Sequence, residues 1–482
     1  MISRIDDFDA ILNTTGVISE IINFPNKNLV ITNFENNHIE FSNCLFNAET
    51  ITFRNIKNED LTIRFSNCTL HVNLVFENCK FQNLEFYDTT ELSSLKLSSG
   101  NEDDGVLSLK RFYFTTTKNS ALPLNTNFYF AKCTFSSEFL ITHLNQSLGF
   151  FLISNSEFGI KDVDTDKNYN NYTIRDSKLH NVCIERNTFF TTVSFHNTVF
   201  SYNQKDLEKK KYKNTIFYKN NFQTAGFTEC TFENICHIWS SEFKNASYFE
   251  NIKSLQNSEL RIIENIFHKY VTFDKAELNS LIIHKCEFLN IASFQEIKVN
   301  KITIEKTSFE KLALFDDSEI RKIKSCNRRT IRIIKQQLQK AENRIDYNRF
   351  RSYELSIYHE ELKWTWKNGK DKVILGATWL VTGFDHSWRR ALVFTLAAGL
   401  LFYSLFFISE NYMLDFSLSN WREYASGYFR FLLVTDFYNP ISERRTYIDN
   451  TNTLGWLIFI LGKIVIAFGI YEMIQAFRKF KA

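Results

Sequence analysis

A stacked β-solenoid, followed by a helical connector and a two-helix membrane module, is the fold class this sequence predicts. Three observations carry that reading. Apolar residues recur on a near-constant five-residue beat from about residue 24 to residue 325. A small residue stands two places before many of the phenylalanines on that beat. Two apolar stretches, 391–408 without a charge and 454–471 with only Lys463, lie near the end of the chain.

The beat is clearest between residues 273 and 320. Phe273, Leu278, Ile283, Phe288, Phe294, Val299, Ile304, Phe309, Phe315 and Ile320 are spaced five or six apart. This defines a 21-residue coil with four inward apolar corners. A fixed period of that length marks a solenoid. It fits neither the 3.6 period of a helix nor the period of 2 of a plain strand. Cys44 before Phe46, Cys79 before Phe81, Ser156 before Phe158, Thr198 before Phe200 and Cys286 before Phe288 show the second regularity. In extended chain, positions two apart face the same way, so a small and a large residue alternate into a narrow interior. The composition agrees, with 49 Phe, 14 Gly and 3 Pro; collagen-like and disordered material are excluded. The nine cysteines form no CxxC pair and have no His at metal spacing. Cys44, Cys68, Cys79, Cys133, Cys230 and Cys286 read as small buried hydrophobes, the competing reading being a redox sensor.

This register resembles the pentapeptide-repeat family, a right-handed quadrilateral β-helix. The chain departs from it in using Phe where the family uses Leu, and in a coil one residue longer. The resemblance covers most of a domain at 1–325 and implies about 14 coils stacked roughly 4.8 Å apart. The beat fails at 88–127, 159–172 and 201–215, where insertions are expected on a binding face. The third insertion carries Lys205, Lys209, Lys210, Lys211 and Lys213 beside Tyr202 and Tyr212. Basic groups next to aromatics suit a phosphate backbone and its bases. A solvated charged loop, diluted by Asp206 and Glu208, fits the same residues.

A connector follows at 326–386. Ile331, Ile334, Leu338 and Ala341 keep a helical period, and a second helix is expected over about 345–364. Val373–Val381 is apolar but too short to span, so it reads as an interfacial helix on the membrane. The plainer reading of the connector is a cap on the open end of the solenoid.

The membrane module occupies 387–482, with helices over 388–409 and 454–477. Eighteen residues of helix reach about 27 Å, near the hydrocarbon thickness of a bilayer. A buried hairpin of a soluble domain is the alternative. Arg389 and Arg390 precede the first helix, and Arg478, Lys479 and Lys481 follow the second. Positive flanks stay inside, which places both termini in the cytoplasm of a bacterial inner membrane. The intervening loop has an apolar stretch, 424–434, too short to cross; Pro440 stops any helix there. Non-helical backbone at membrane depth survives only where protein or a watery cavity shelters it. One chain supplies too little wall for a pore, so a closed ring is implied, with a homotetramer the expected state.

Helix, half-helix, polar turn, helix is also the layout of two-transmembrane pore-loop ion channels, which residues 383–480 resemble. GFDHSWRRA at 383–391 looks like the tight turn into the first helix of bacterial members. The potassium filter TVGYG is absent, and Thr435, Asp436, Phe437 and Tyr438 take its place in the pore loop at about 420–440. A re-entrant loop without conduction is the other reading. Lys463 and Glu472 are nine residues apart, so they point to opposite sides of one helix. Lys463 is the better pore-lining or gate residue, and a ring of lysines would disfavour cations; snorkelling is the alternative for both.

No GxxxxGK[ST], GxSxG, HExxH or GxGxxG motif occurs. The chain reads as a non-enzyme without cofactor or metal. Its expected function is an oligomeric ion channel controlled from its cytoplasmic part. A membrane-anchored scaffold without conduction is the alternative. A β-solenoid fused to a two-helix pore also resembles the channel effectors of Hailong-type anti-phage defence. That likeness implies control by a short single-stranded DNA oligomer made by a partner nucleotidyltransferase.

Overall fold

The computed structural model describes the 482 residues except 4–7, 9, 13–15, 33–35, 100–106, 117–125, 147, 161–171, 202–213, 385–386, 412–416, 443–445, 449–451 and 479–482. Two compact units are present, Met1–Thr330 and Ile331–Ala482.

The first unit is a β-solenoid of about 11 turns, built from two parallel sheets that run along it. The 21-residue coil holds where the beat is regular: Leu278 pairs with Val299, Ile283 with Ile304 and Phe288 with Phe309. The turns are fewer than the 14 expected because other coils are longer. Register partners Phe86 and Phe114, Ile141 and Ile174, and Phe195 and Phe227 lie well over 21 residues apart. The expected break at 88–127 also narrows. Ser94–Ser98 and Leu107–Thr115 are strands paired to neighbouring coils. Their buried residues include Leu95, Leu97, Leu107 and Leu109 beside Phe112 and Phe114, so the coil continues with Leu at several inward positions.

Burial of aromatic faces against their own kind one coil away holds the interior together. Phe273, Phe294 and Phe315 stack with ring centroids 5.0 and 4.8 Å apart. Phe243, Phe267 and Phe288 stack at 4.6 and 4.9 Å. Each turn of the coil is bent at residues with left-handed backbone. Asn43, Asn67, Asn78, Lys285 and Lys306 have φ between 51° and 56°. A left-handed residue other than Gly is strained by roughly 1–2 kcal/mol, and Asn tolerates it best. Here Asn67 Nδ2 donates to Asn43 Oδ1 at 2.6 Å, and Asn78 Nδ2 to Asn55 Oδ1 at 2.7 Å.

The small residue of the sequence pattern follows directly on each such bend. It does more than fill space. Cys44 Sγ donates to the Ile18 carbonyl at 3.1 Å, Cys286 Sγ to Ile262 at 3.3 Å and Thr198 Oγ1 to Ile174 at 3.2 Å. Asn265 completes the pattern: its Nδ2 donates to Ile238 O at 2.7 Å while its Oδ1 accepts from Ser241 N at 2.8 Å. Bends interrupt the backbone ladder, and these side chains satisfy groups that burial would otherwise leave unpaired. Burial pushes the thiols of Cys79 and Cys286 up to about 11 and that of Cys230 up to about 12. They are held as thiols, the unreactive form.

The last coil ends on side-chain caps. Ile304 N donates to Thr330 Oγ1 at 2.9 Å, and Asn327 Nδ2 donates to Glu305 Oε1 at 2.7 Å. The first of these engages a backbone donor that would otherwise be open to strand addition.

Helices make up the second unit. The connector holds α1 (Arg328–Lys340), α2 (Arg344–Glu361) and α3 (Trp366–Thr382). α3 is longer than the nine residues expected, because Thr365 Oγ1 caps its start by accepting from Asn368 N. Gly383, left-handed at φ 66°, ends it. α4 (Trp388–Ser409) and α6 (Thr453–Arg478) are both long and apolar enough to cross a membrane. α5 (Trp421–Leu432) is the short helix between them. This arrangement fits a membrane-anchored protein.

Candidate functional site, the half-helix and its turn

α5 packs between α4 and α6 on a core of Tyr403, Phe406, Phe431, Ile448, Phe459 and Ile466. The close approach depends on small residues. A Cβ on Gly427 would lie 2.5 Å from Tyr403 Oη, and one on Gly399 would lie 2.4 Å from Leu432 Cδ2. On α6, Gly455, Gly462, Gly469 and Ala476 recur every seven residues and are all buried. Residues seven apart share a helix face, so α6 presents a smooth face to its neighbours. Tyr403 Oη also donates to the Tyr424 carbonyl at 2.9 Å, and Tyr428 Oη to Leu396 O at 2.9 Å.

Lys463 is 5% exposed. Its Nζ donates to the carbonyls of Phe431 at 2.9 Å and Leu433 at 2.6 Å. The ammonium also lies over the rings of Phe431 and Phe459, 5.3 and 4.9 Å from their centroids. Those carbonyls close α5, where a helix leaves acceptors without intrahelical donors and carries partial negative charge. Within one protomer the Lys463 side chain is turned onto the end of the half-helix. A charge at membrane depth needs such a partner, and α5 provides it.

The turn that follows is fixed by a second cation. Arg430 Nη1 donates to Pro440 O and Ser442 O, both at 3.0 Å, and its Nε lies 3.7 Å from Asp436 Oδ2. Asp436 Oδ1 accepts from Tyr438 N at 3.2 Å, and Asn439 N donates to Thr446 O at 2.8 Å. Of the four expected filter residues, Thr435 and Phe437 are exposed, while Asp436 and Tyr438 are half-buried. Arg430 was not legible as part of the site, since a lone Arg on a short amphipathic helix reads as solvated.

Glu472 sits at the other end of α6, also 5% exposed. Its Oε2 accepts from Thr382 Oγ1 of α3 at 3.1 Å. The spacing argument that put Lys463 and Glu472 on opposite sides matches their different partners, α5 and α3. Snorkelling does not describe either residue in this structure. The side chains of Lys205, Lys209, Lys210, Lys211 and Lys213 lie outside the described residues. No group of three or more His, Cys, Asp or Glu able to hold a metal occurs among the described residues.

Comparison with known proteins gives no family model, no curated protein and no solved structure that matches this chain.

Proposed function

We propose that the chain forms a homo-oligomeric ion channel, expected to be a tetramer, whose half-helices and turns surround a shared axis. One observation carries this reading: α5 and the turn at 433–440 are fixed by Lys463 and Arg430 while Leu433, Thr435 and Phe437 remain exposed. A plain anchor needs two spanning helices and no braced half-helix between them. Exposed apolar residues on a braced turn call for a covering surface, and copies of the same turn supply one in a closed ring.

In this reading both termini are cytoplasmic in a bacterial inner membrane, and the solenoid senses a ligand. A short single-stranded DNA oligomer, made by a partner nucleotidyltransferase in anti-phage defence, is the ligand we favour, with the lysines at 205–213 as its contact. Glu472 and Thr382 then link the connector to α6 at the end where a cytoplasmic signal arrives. A membrane-anchored scaffold is the competing function.

Planar bilayers with the purified full chain separate the two. The channel reading predicts unitary currents that oligodeoxynucleotides change, with a weaker effect as salt rises. Electrically silent bilayers, with and without oligodeoxynucleotide, would favour the scaffold.

A further inference from the structure

Selectivity filters for cations present backbone carbonyls or rings of Asp or Glu to the ion, and those for anions present Arg or Lys. At the two ends of the turn after α5, four carbonyls are already engaged by cations. Phe431 O and Leu433 O already accept from Lys463, and Pro440 O and Ser442 O already accept from Arg430. The C-terminus of α5 would otherwise turn the negative end of its dipole toward the turn. An ammonium at 2.6 to 2.9 Å stands against it instead.

Charge counting points the same way. Against these two cations, the described part of the turn has one carboxylate, Asp436, which Arg430 faces at 3.7 Å. Glu410, at the end of α4, is held by Asn452 Nδ2 at 2.5 Å. The exposed residues of the turn are Leu433, Thr435 and Phe437; none is anionic, and Thr435 brings a hydroxyl donor.

We propose that the ion passing this turn is a small monovalent anion, with Lys463 and Arg430 as the residues that set the sign of selectivity. The inference rests on the channel reading and names its permeant class. A positive potential at a low-dielectric constriction concentrates anions and repels cations. The mechanism needs no ring of exposed lysines, because the charges act from behind the turn they hold.

The test is the reversal potential of the purified full chain in planar bilayers under a potassium chloride gradient. The expected sign is that of chloride permeation. Lys463→Met is expected to lower the chloride-to-potassium permeability ratio roughly 25-fold, about fivefold for each ion with opposite sign, the scale of one charge acting at close range through a water-like medium. Lys463→Arg is expected to keep the ratio. Amide exchange of 421–432 shows whether α5 stays in place in each variant, and Arg430→Gln supplies a second charge removal should Lys463→Met release it. A wild-type channel that prefers potassium overturns the inference and leaves the channel reading standing. So does an unchanged ratio in both charge-removal variants with α5 still protected. A silent wild-type protein overturns the channel reading, and the inference falls with it.

Discussion

Phe267→Ala is expected to destabilise the solenoid by about 3–5 kcal/mol, the usual loss for a large aromatic emptied from a core. Phe267 is 1% exposed and is sandwiched between Phe243 and Phe288 at 4.6 and 4.9 Å. The substitution removes both ring contacts and leaves a hole that two neighbouring coils line. Solenoid coils contact only their neighbours, so the damage begins locally. Amide exchange in the full chain should rise first in 241–290 and later toward the ends. Phe267→Leu keeps most of the volume and is expected to cost less than about 1.5 kcal/mol. Equal effects of Ala and Leu would mean that filled volume does not set the cost at this position.

Gly462→Ala is expected to displace α5, although it adds a single methyl. That methyl would sit 2.8 Å from Phe431 Cζ and 2.9 Å from Phe402 Cβ. Neither neighbour is the free end of a flexible chain: Phe431 is fully buried and Phe402 Cβ is fixed to α4. Overpacking of this kind costs about 1–3 kcal/mol. The expected result is faster amide exchange over 421–438, with 388–409 unchanged. Gly369→Ala is the control, since nothing lies within 4 Å of a Cβ there. Unchanged exchange in Gly462→Ala would show that α5 does not depend on this close approach.

Much of the fold is legible in the sequence, for a physical reason. In a stack of like coils each inward position is repeated one coil on, so the spacing of residues 273–320 is also the register that pairs Leu278 with Val299 and Val299 with Ile320. The bends were harder to read. They use Asn at 43, 67 and 78 but Lys at 285 and 306, and a Lys in left-handed conformation has no compositional signature. The signal lay in position, immediately before each small residue. The seven-residue recurrence of Gly455, Gly462 and Gly469 was equally available, and it marks the face of α6 against which the rest of the unit packs.

The contacts that Lys463 makes were not legible in the sequence. A lysine in an apolar stretch announces a partner, but the sequence does not say whether the partner is water, lipid or a carbonyl. Only the return of α5 to the same depth, with its last carbonyls open, decides that for Lys463. Arg430 joined the site for the same reason: the turn at 440–442 folds back to offer it two acceptors.

Conduction requires that copies of this turn meet around an axis. Electron microscopy of the full chain in nanodiscs, viewed along the membrane normal, tests that most directly. A closed ring with low central density bordered by residues 433–438 is the predicted image. A single protomer, or a bundle filled by side chains or lipid through its whole height, would contradict it.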